Sequence, residues 1–443
     1  MTAFATSAPP AVASCVRRLD DVLNAASSAV AAHVFTKLYD AQSRVHAQEL
    51  DALQASGGPL GLLHGMCVTL KDNLDVAGEV TLSGGVVCAE DAPAAQDAVV
   101  VQRLRQAGAL LVGKTNMSEF AFSGVGINPH HGTPLNPCDR QVARIPGGSS
   151  AGAAVAVALG LAEASVGTDT GGSIRIPAAL CGLVGFKGTQ SRTPLQGVME
   201  LSRSLDTVGA IARSVHACLQ LDRVMSQQPL PLDMADMSGL RFAVPQSLML
   251  DEMDSQVALA FGRALTRIAA AGATLVEIPF AELSEVAALN VPTGLSPIEG
   301  YAAHHARLAR GADRIDPRVV ARMMQGRDVS AKDYLALLNR RTQWQLRANS
   351  VLQDFDAMLS PTTPTVAAEL KPLLDDDAAF FKVNQLMLRN PSVINFLDGC
   401  SFSLPCHEQG NLPVGLMVSA SGGKDAQLAR VALALEALLS AAH

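Results

Sequence analysis

The chain has 443 residues, is 49% hydrophobic and carries a net charge of −7. That is enough apolar material for one large α/β core or two ordinary ones. The lysines and arginines are scattered, which excludes an electrostatic footprint for nucleic acid or an anionic membrane, and an aromatic share of 4% excludes a base-stacking platform.

Met1–Asp20 has neither a basic start nor a sustained apolar stretch, so no signal peptide or membrane anchor is expected and the chain is read as cytoplasmic. Residues 12–56 place apolar side chains at helical spacing (Val16, Leu19, Val22, Leu23; then Val34, Leu38, Ala41) and read as an N-terminal helical layer, residues 1–60. From Gly61 to about residue 225 short apolar runs alternate with amphipathic helices such as Asp97–Ala107 and Ser150–Leu161. This βα alternation marks an α/β core. Pro229-Leu230-Pro231 reads as a boundary loop. Beyond it Leu240–Val244 and Thr274–Ile278 flank a helix over Ser255–Ala271, a further βαβ unit.

Residues 281–353 read as mostly helical and carry His304, His305, Tyr334 and Trp344. They are the candidate wall or lid over a site built elsewhere, within a substrate-side region 226–353. The tail, 354–443, returns to strands at Phe355–Ser360, Ser401–Leu404 and Pro413–Val418 and closes on a helix over Asp425–Leu439. Eight dispersed cysteines without a CxxC or a Cys/His cluster read as free thiols, with no structural metal and no metal-assisted chemistry.

Three segments carry chemistry. Ser173 ends the run Gly167-Thr168-Asp169-Thr170-Gly171-Gly172, whose backbone N–H groups are free to converge, so it reads as a nucleophile with its own oxyanion hole. Lys71 lies among Met66, Val68 and Leu70 on an apolar strand. Burial there lowers a lysine pKa toward neutrality, while Asp72 points to the opposite face. Gly147-Gly148-Ser149-Ser150 precedes a helix of small residues able to pack close to a sheet. Gly148–Gly152 also fits a GxSxG elbow with Ser150 as nucleophile and Asp356 and His407 as partners, but Pro146 and Gly147 interrupt the strand that such an elbow needs. No Gly-Lys-Ser/Thr follows, against a phosphate loop.

Arg175 either braces the loop after the nucleophile or anchors a substrate carboxylate. Met117, Phe120, Leu195 and Met199 either line an acyl pocket or belong to the core, and His130 and His131 read as a surface loop.

Taken together, Gly65–Asn73, Gly113–Phe120, the Ser149 and Ser173 segments, Ser204–Gly209 and Leu412–Leu416 resemble the amidase signature family from Gly61 to the C-terminal helix. Cys67 stands where that family usually has proline, Ala151 where it has glycine, and Cys406 follows Pro405 where glycine is common. The resemblance implies a single three-layer α/β/α domain with a large mixed, mainly parallel sheet flanked by helices. It implies cofactor-free hydrolysis of a small amide, carbamate or ester with water, through an acyl-enzyme, by a monomer or homodimer. The implied site has Ser173 as nucleophile, Ser149 after a cis Gly148–Ser149 peptide as proton relay, and Lys71 as base. Backbone N–H groups of Thr170, Gly171, Gly172 and Ser173 form the implied oxyanion hole. Met117 and Arg175 are the candidate substrate-pocket residues. A glutaminase component of a tRNA-dependent amidotransferase is the alternative within the same family.

Overall fold

The computed structural model describes residues 14–440, so what is expected of Met1–Ala13, including the expectation about a leader, and of Ala441–His443 lies outside the described residues. Eleven strands follow in chain order: β1 (Phe35–Leu38), β2 (Cys67–Lys71), β3 (Leu110–Thr115), β4 (Ala164–Asp169), β5 (Val184–Lys187), β6 (Thr207–Ala212), β7 (Arg241–Pro245), β8 (Thr274–Ile278), β9 (Ala357–Pro361), β10 (Cys400–Pro405) and β11 (Gly415–Ala420). They form one sheet in the order β1-β3-β2-β4-β6-β5-β10-β11-β9-β7-β8.

The sheet is mixed, as expected, but not mainly parallel. Parallel ladders join β3, β2 and β4 near one end and β9, β7 and β8 at the other; the remaining six of the ten ladders are antiparallel. The reason lies in the connections. A parallel neighbour needs a crossover helix, whereas β10 reaches β11 and β5 reaches β6 through segments without an α-helix.

Every residue of β2, β3, β4, β6 and β11 is buried, because helices cover both faces of the sheet. Val68 and Leu70 of β2 join the large core that includes residues of helices Val99–Gln106, Val215–Ser226 and Asp425–Ser440. Thr69 and Lys71 face the other layer, where helix Ala151–Ala158 packs so close that a Cβ on Gly152 would come within 2.8 Å of the Asn116 nitrogen. The small residues of that helix are what permit the approach. The N-terminal layer contains helices Cys15–Ala26 and Asp40–Ala55, but Phe35–Leu38 between them is an edge strand.

Residues 281–353 are mostly helical, in Glu282–Leu289, Leu295–Gly311, Pro317–Met324 and Ala331–Leu352, with Trp344 fully buried in a core shared with strands β7, β9 and β11 and helix Asp377–Leu397. A 21-residue helix, Asp377–Leu397, escaped the sequence reading and runs beside the Ser173 loop. Among the described residues no helix is long and apolar enough to cross a membrane.

Candidate active site

Lys71, the last residue of β2, has no solvent exposure. Its Nζ donates to Ser149 Oγ at 2.7 Å and to Thr168 Oγ1 at 2.8 Å; Asn73 Nδ2 donates to the same threonine oxygen at 3.0 Å. Burial pushes the lysine pKa from 10.5 down to about 7, against the opposing pull of the Asp169 and Asp206 carboxylates. Asp72 turns away and pairs with Lys114 at 2.9 Å.

The Gly148–Ser149 peptide is cis. The turn is held from both sides, since Gly148 N–H donates to the Gly124 carbonyl at 2.8 Å and Ser118 N–H donates to the Ser149 carbonyl at 3.1 Å. Ser150 N–H donates to the Ser173 carbonyl at 3.2 Å, which ties the two serine loops together. Ser150 Oγ itself turns to the Thr168 carbonyl at 3.3 Å, and Asp356 accepts from Gln427 at 2.8 Å and from the backbone of Arg241, so the elbow alternative is not assembled.

Strand β4 ends at Asp169, and the loop that follows wraps around its carboxylate. Asp169 accepts the N–H groups of Gly172 (2.8 Å) and Ile174 (3.1 Å), and the Arg175 guanidinium pairs with both of its oxygens at 3.0 Å. Asn395, from helix Asp377–Leu397, donates to Asp169 at 2.8 Å and accepts from Arg175 at 2.6 Å; the Pro391 carbonyl takes a further Arg175 hydrogen. Burial alone would raise the Asp169 carboxyl, but the Arg175 charge and hydrogen bonds, with Lys187 and Asn395, hold it well below the usual carboxylate range. Beside it, Asp206 accepts from Thr170 Oγ1 and from the N–H groups of Leu201 and Ser202; burial pushes this carboxyl up to about 6.

Ser173, Thr170 and Gly171 line a cavity of about 310 Å³. The wall opposite comes from residues 281–353, with Val286, Asn290, Thr293 and Arg322, and from Leu388 and Phe396 of the late helix.

Several expectations need correcting. Arg175 is fully buried against Asp169 and does not line the cavity, so it braces the loop and is not a substrate anchor. Met117 is also absent from the cavity; it sits in an apolar cluster with Val87, Phe120 and Met323, because the turn after β3 aims it inward. Leu195 and Met199 pack partly buried against apolar cores and do not line this cavity. The Gly172 amide is already engaged by Asp169, which leaves Thr170, Gly171 and Ser173 as the candidate oxyanion donors. His130 and His131 are partly buried, His130 lying 3.2 Å from Glu119. Asp169, Thr168, Asp206 and Asn395 were assigned no role from sequence. Only the first three had a signal, their closeness in sequence to Ser173 or membership of the Ser204–Gly209 segment.

A crystal structure of an amidase superposes with a TM-score of 0.86 and 31% identity over 96% of each chain, so the architecture is that of an amidase. A family model described as Amidase matches residues 14–429. The chain belongs to the Amidase family and is an enzyme acting on carbon–nitrogen bonds of amides other than peptide bonds. Relatives include a 2-amino-5-chloromuconic acid deaminase of Comamonas testosteroni, 34% identical over 91% of this chain and 88% of the relative. A glutamyl-tRNA(Gln) amidotransferase component of Moorella thermoacetica is 33% identical over 89% and 87%.

Proposed function

We propose that the chain hydrolyses the C–N bond of a small amide or carbamate, or the C–O bond of a related ester, through an acyl-enzyme on Ser173. The observation that carries this is the buried Lys71 Nζ, 2.7 Å from Ser149 Oγ and held near neutrality by burial. A neutral amine at that place can take a proton; an ordinary lysine cannot. Ser173 Oγ attacks the carbonyl carbon while its proton passes to Ser149 and the Ser149 proton to Lys71. The N–H groups of Thr170, Gly171 and Ser173 meet the developing oxyanion. Collapse breaks the C–N bond, the amine leaves with the proton returned along the same relay, and water repeats the sequence to release the acid. Neither a cofactor nor a metal enters, and the enzyme acts in the cytoplasm as a monomer or homodimer.

The test is release of p-nitroaniline from a series of acyl p-nitroanilides by wild type, Ser173→Ala and Ser149→Ala. Turnover confined to wild type, with hydroxylamine trapping the acyl group only when Ser173 is present, supports the assignment; turnover by Ser173→Ala sinks it. A second reading, the glutaminase component of a tRNA-dependent amidotransferase, draws on the relatives of that name. It requires a partner protein whose presence switches on glutaminase activity.

A further inference from the structure

Glu299, on helix Leu295–Gly311, is a buried carboxylate held by hydrogen bonds alone. Among the described residues no lysine, arginine or histidine forms an ion pair with it, in contrast to Asp169 with Arg175 and Asp222 with Arg192. Its Oε2 accepts from the Ser202 hydroxyl and from the Ser204 N–H at 3.0 Å. Its Oε1 accepts from the Ser204 hydroxyl and from Tyr334 Oη at 2.6 Å. Four donors offset the loss of water that burial imposes on a carboxylate.

What these bonds fasten is the loop Leu201–Asp206, which reaches the reacting centre at its far end. The Asp206 carboxylate accepts the N–H groups of Leu201 (2.9 Å) and Ser202 (3.0 Å) on one oxygen and the Thr170 hydroxyl on the other. Ser202 is the shared link, its hydroxyl on Glu299 and its N–H on Asp206. Arg341, on the helix that carries Tyr334, adds a bond to the Ser204 carbonyl at 3.1 Å. Thr170 lies just past the end of β4 and is followed by Gly171 and Gly172. Glycines leave the backbone free, so the Thr170 side chain on Asp206 is what fixes the direction of its N–H. Glu299 itself does not line the cavity.

Resting on the acyl-enzyme reading above, we propose that Glu299 is a positioning residue for the oxyanion hole. Through Ser202 and Asp206 it sets the direction of the Thr170 N–H, so the helices that wall the cavity also tune the chemical step. The role needs acceptors in place and no proton transfer. Glutamine therefore preserves it: its oxygen accepts from Ser202 and the Ser204 N–H, while its amide donates to the Ser204 and Tyr334 hydroxyls, which turn round. Leucine, of similar size, abolishes it.

The test compares wild type, Glu299→Leu and Glu299→Gln. In Glu299→Leu kcat for the best p-nitroanilide should fall about tenfold or more, since a misplacement of ~1 Å costs up to ~10²-fold, with KM nearly unchanged. A trifluoromethyl ketone of the same acyl group adds the Ser173 oxygen to its carbonyl carbon and forms an oxyanion, whereas the corresponding carbinol cannot. The preference for ketone over carbinol should fall by the same factor as kcat, and Glu299→Gln should recover most of both. A purely structural role would lower the melting temperature and leave that preference alone. An unchanged preference in Glu299→Leu overturns the proposal, and so does a loss in Glu299→Gln as deep as in Glu299→Leu. Ser202→Ala should show the same pattern and takes the place of Glu299→Leu if that variant does not fold. Hydrogen exchange over residues 169–173, read by mass spectrometry without substrate, is independent of turnover. Faster exchange in Glu299→Leu than in wild type and Glu299→Gln supports the coupling; equal exchange refutes it. If no anilide is cleaved and the ketone binds no better than the carbinol in wild type, the acyl-enzyme reading fails, and exchange still decides whether Glu299 holds Thr170.

Discussion

The acid limb of the pH–rate profile should belong to Lys71. With its pKa lowered from 10.5 to about 7, roughly three-quarters of the enzyme carries the neutral amine at pH 7.5, against about one molecule in a thousand for an unshifted lysine. With Lys71 as the base, the burial of one side chain would account for a rate factor of roughly 700 at that pH, within the ~10²–10⁴ usual for general-base catalysis. Below pH 7 kcat/KM for a p-nitroanilide should fall tenfold per pH unit, and Lys71→Met should remove the limb with most of the activity. Stability must carry the cost of that shift. The folded protein binds a proton at Lys71 less readily than the unfolded chain between pH 7 and 10.5, so stability rises with pH through that window. At ~1.36 kcal/mol per pKa unit the wild type should gain up to about 5 kcal/mol relative to Lys71→Met between those limits. Paired pH–rate profiles and denaturant melts measure both. A flat kcat/KM from pH 5.5 to 8.5, or a limb centred above pH 9, would refute the reasoning.

Asp169→Asn should destabilise the protein by about 3–5 kcal/mol, because Arg175 would be left as an uncompensated buried charge; thermal melts at pH 7 report it, and a loss below 1 kcal/mol contradicts the clamp. Gly172→Ala should abolish turnover and lower the melting temperature. At φ 121° a Cβ there would meet Pro391 Cβ at 2.6 Å and Ile176 Cδ1 at 2.7 Å. Thr168→Val removes an acceptor of Lys71 and should lower kcat with little change in KM, so a KM effect alone would argue that the threonine serves substrate binding instead.

Much of the site could be read from the sequence because its chemistry is local. The buried lysine was visible beside Val68 and Leu70, and the loops at Ser149 and Ser173 as glycine runs beside small residues. What stayed hidden depends on distant partners. Arg175 offered two readings until Asn395 and the Pro391 carbonyl closed around it. Met117 has the side chain of a pocket residue, and only the direction of the turn after β3 sends it into the core. The strand directions are hidden for a related reason: apolar runs announce strands, but direction is fixed by the links between them.

Arg175 takes its last two acceptors from residues 216 and 220 positions further along the chain. During synthesis all three residues of the Lys71, Ser149 and Ser173 set have left the ribosome long before those acceptors exist. A nascent or truncated chain that stops short of Asn395 holds the complete chemical alphabet of the site but not the brace that shapes the Ser173 loop. The shape of the Ser173 loop is accordingly settled only once the chain has reached Asn395.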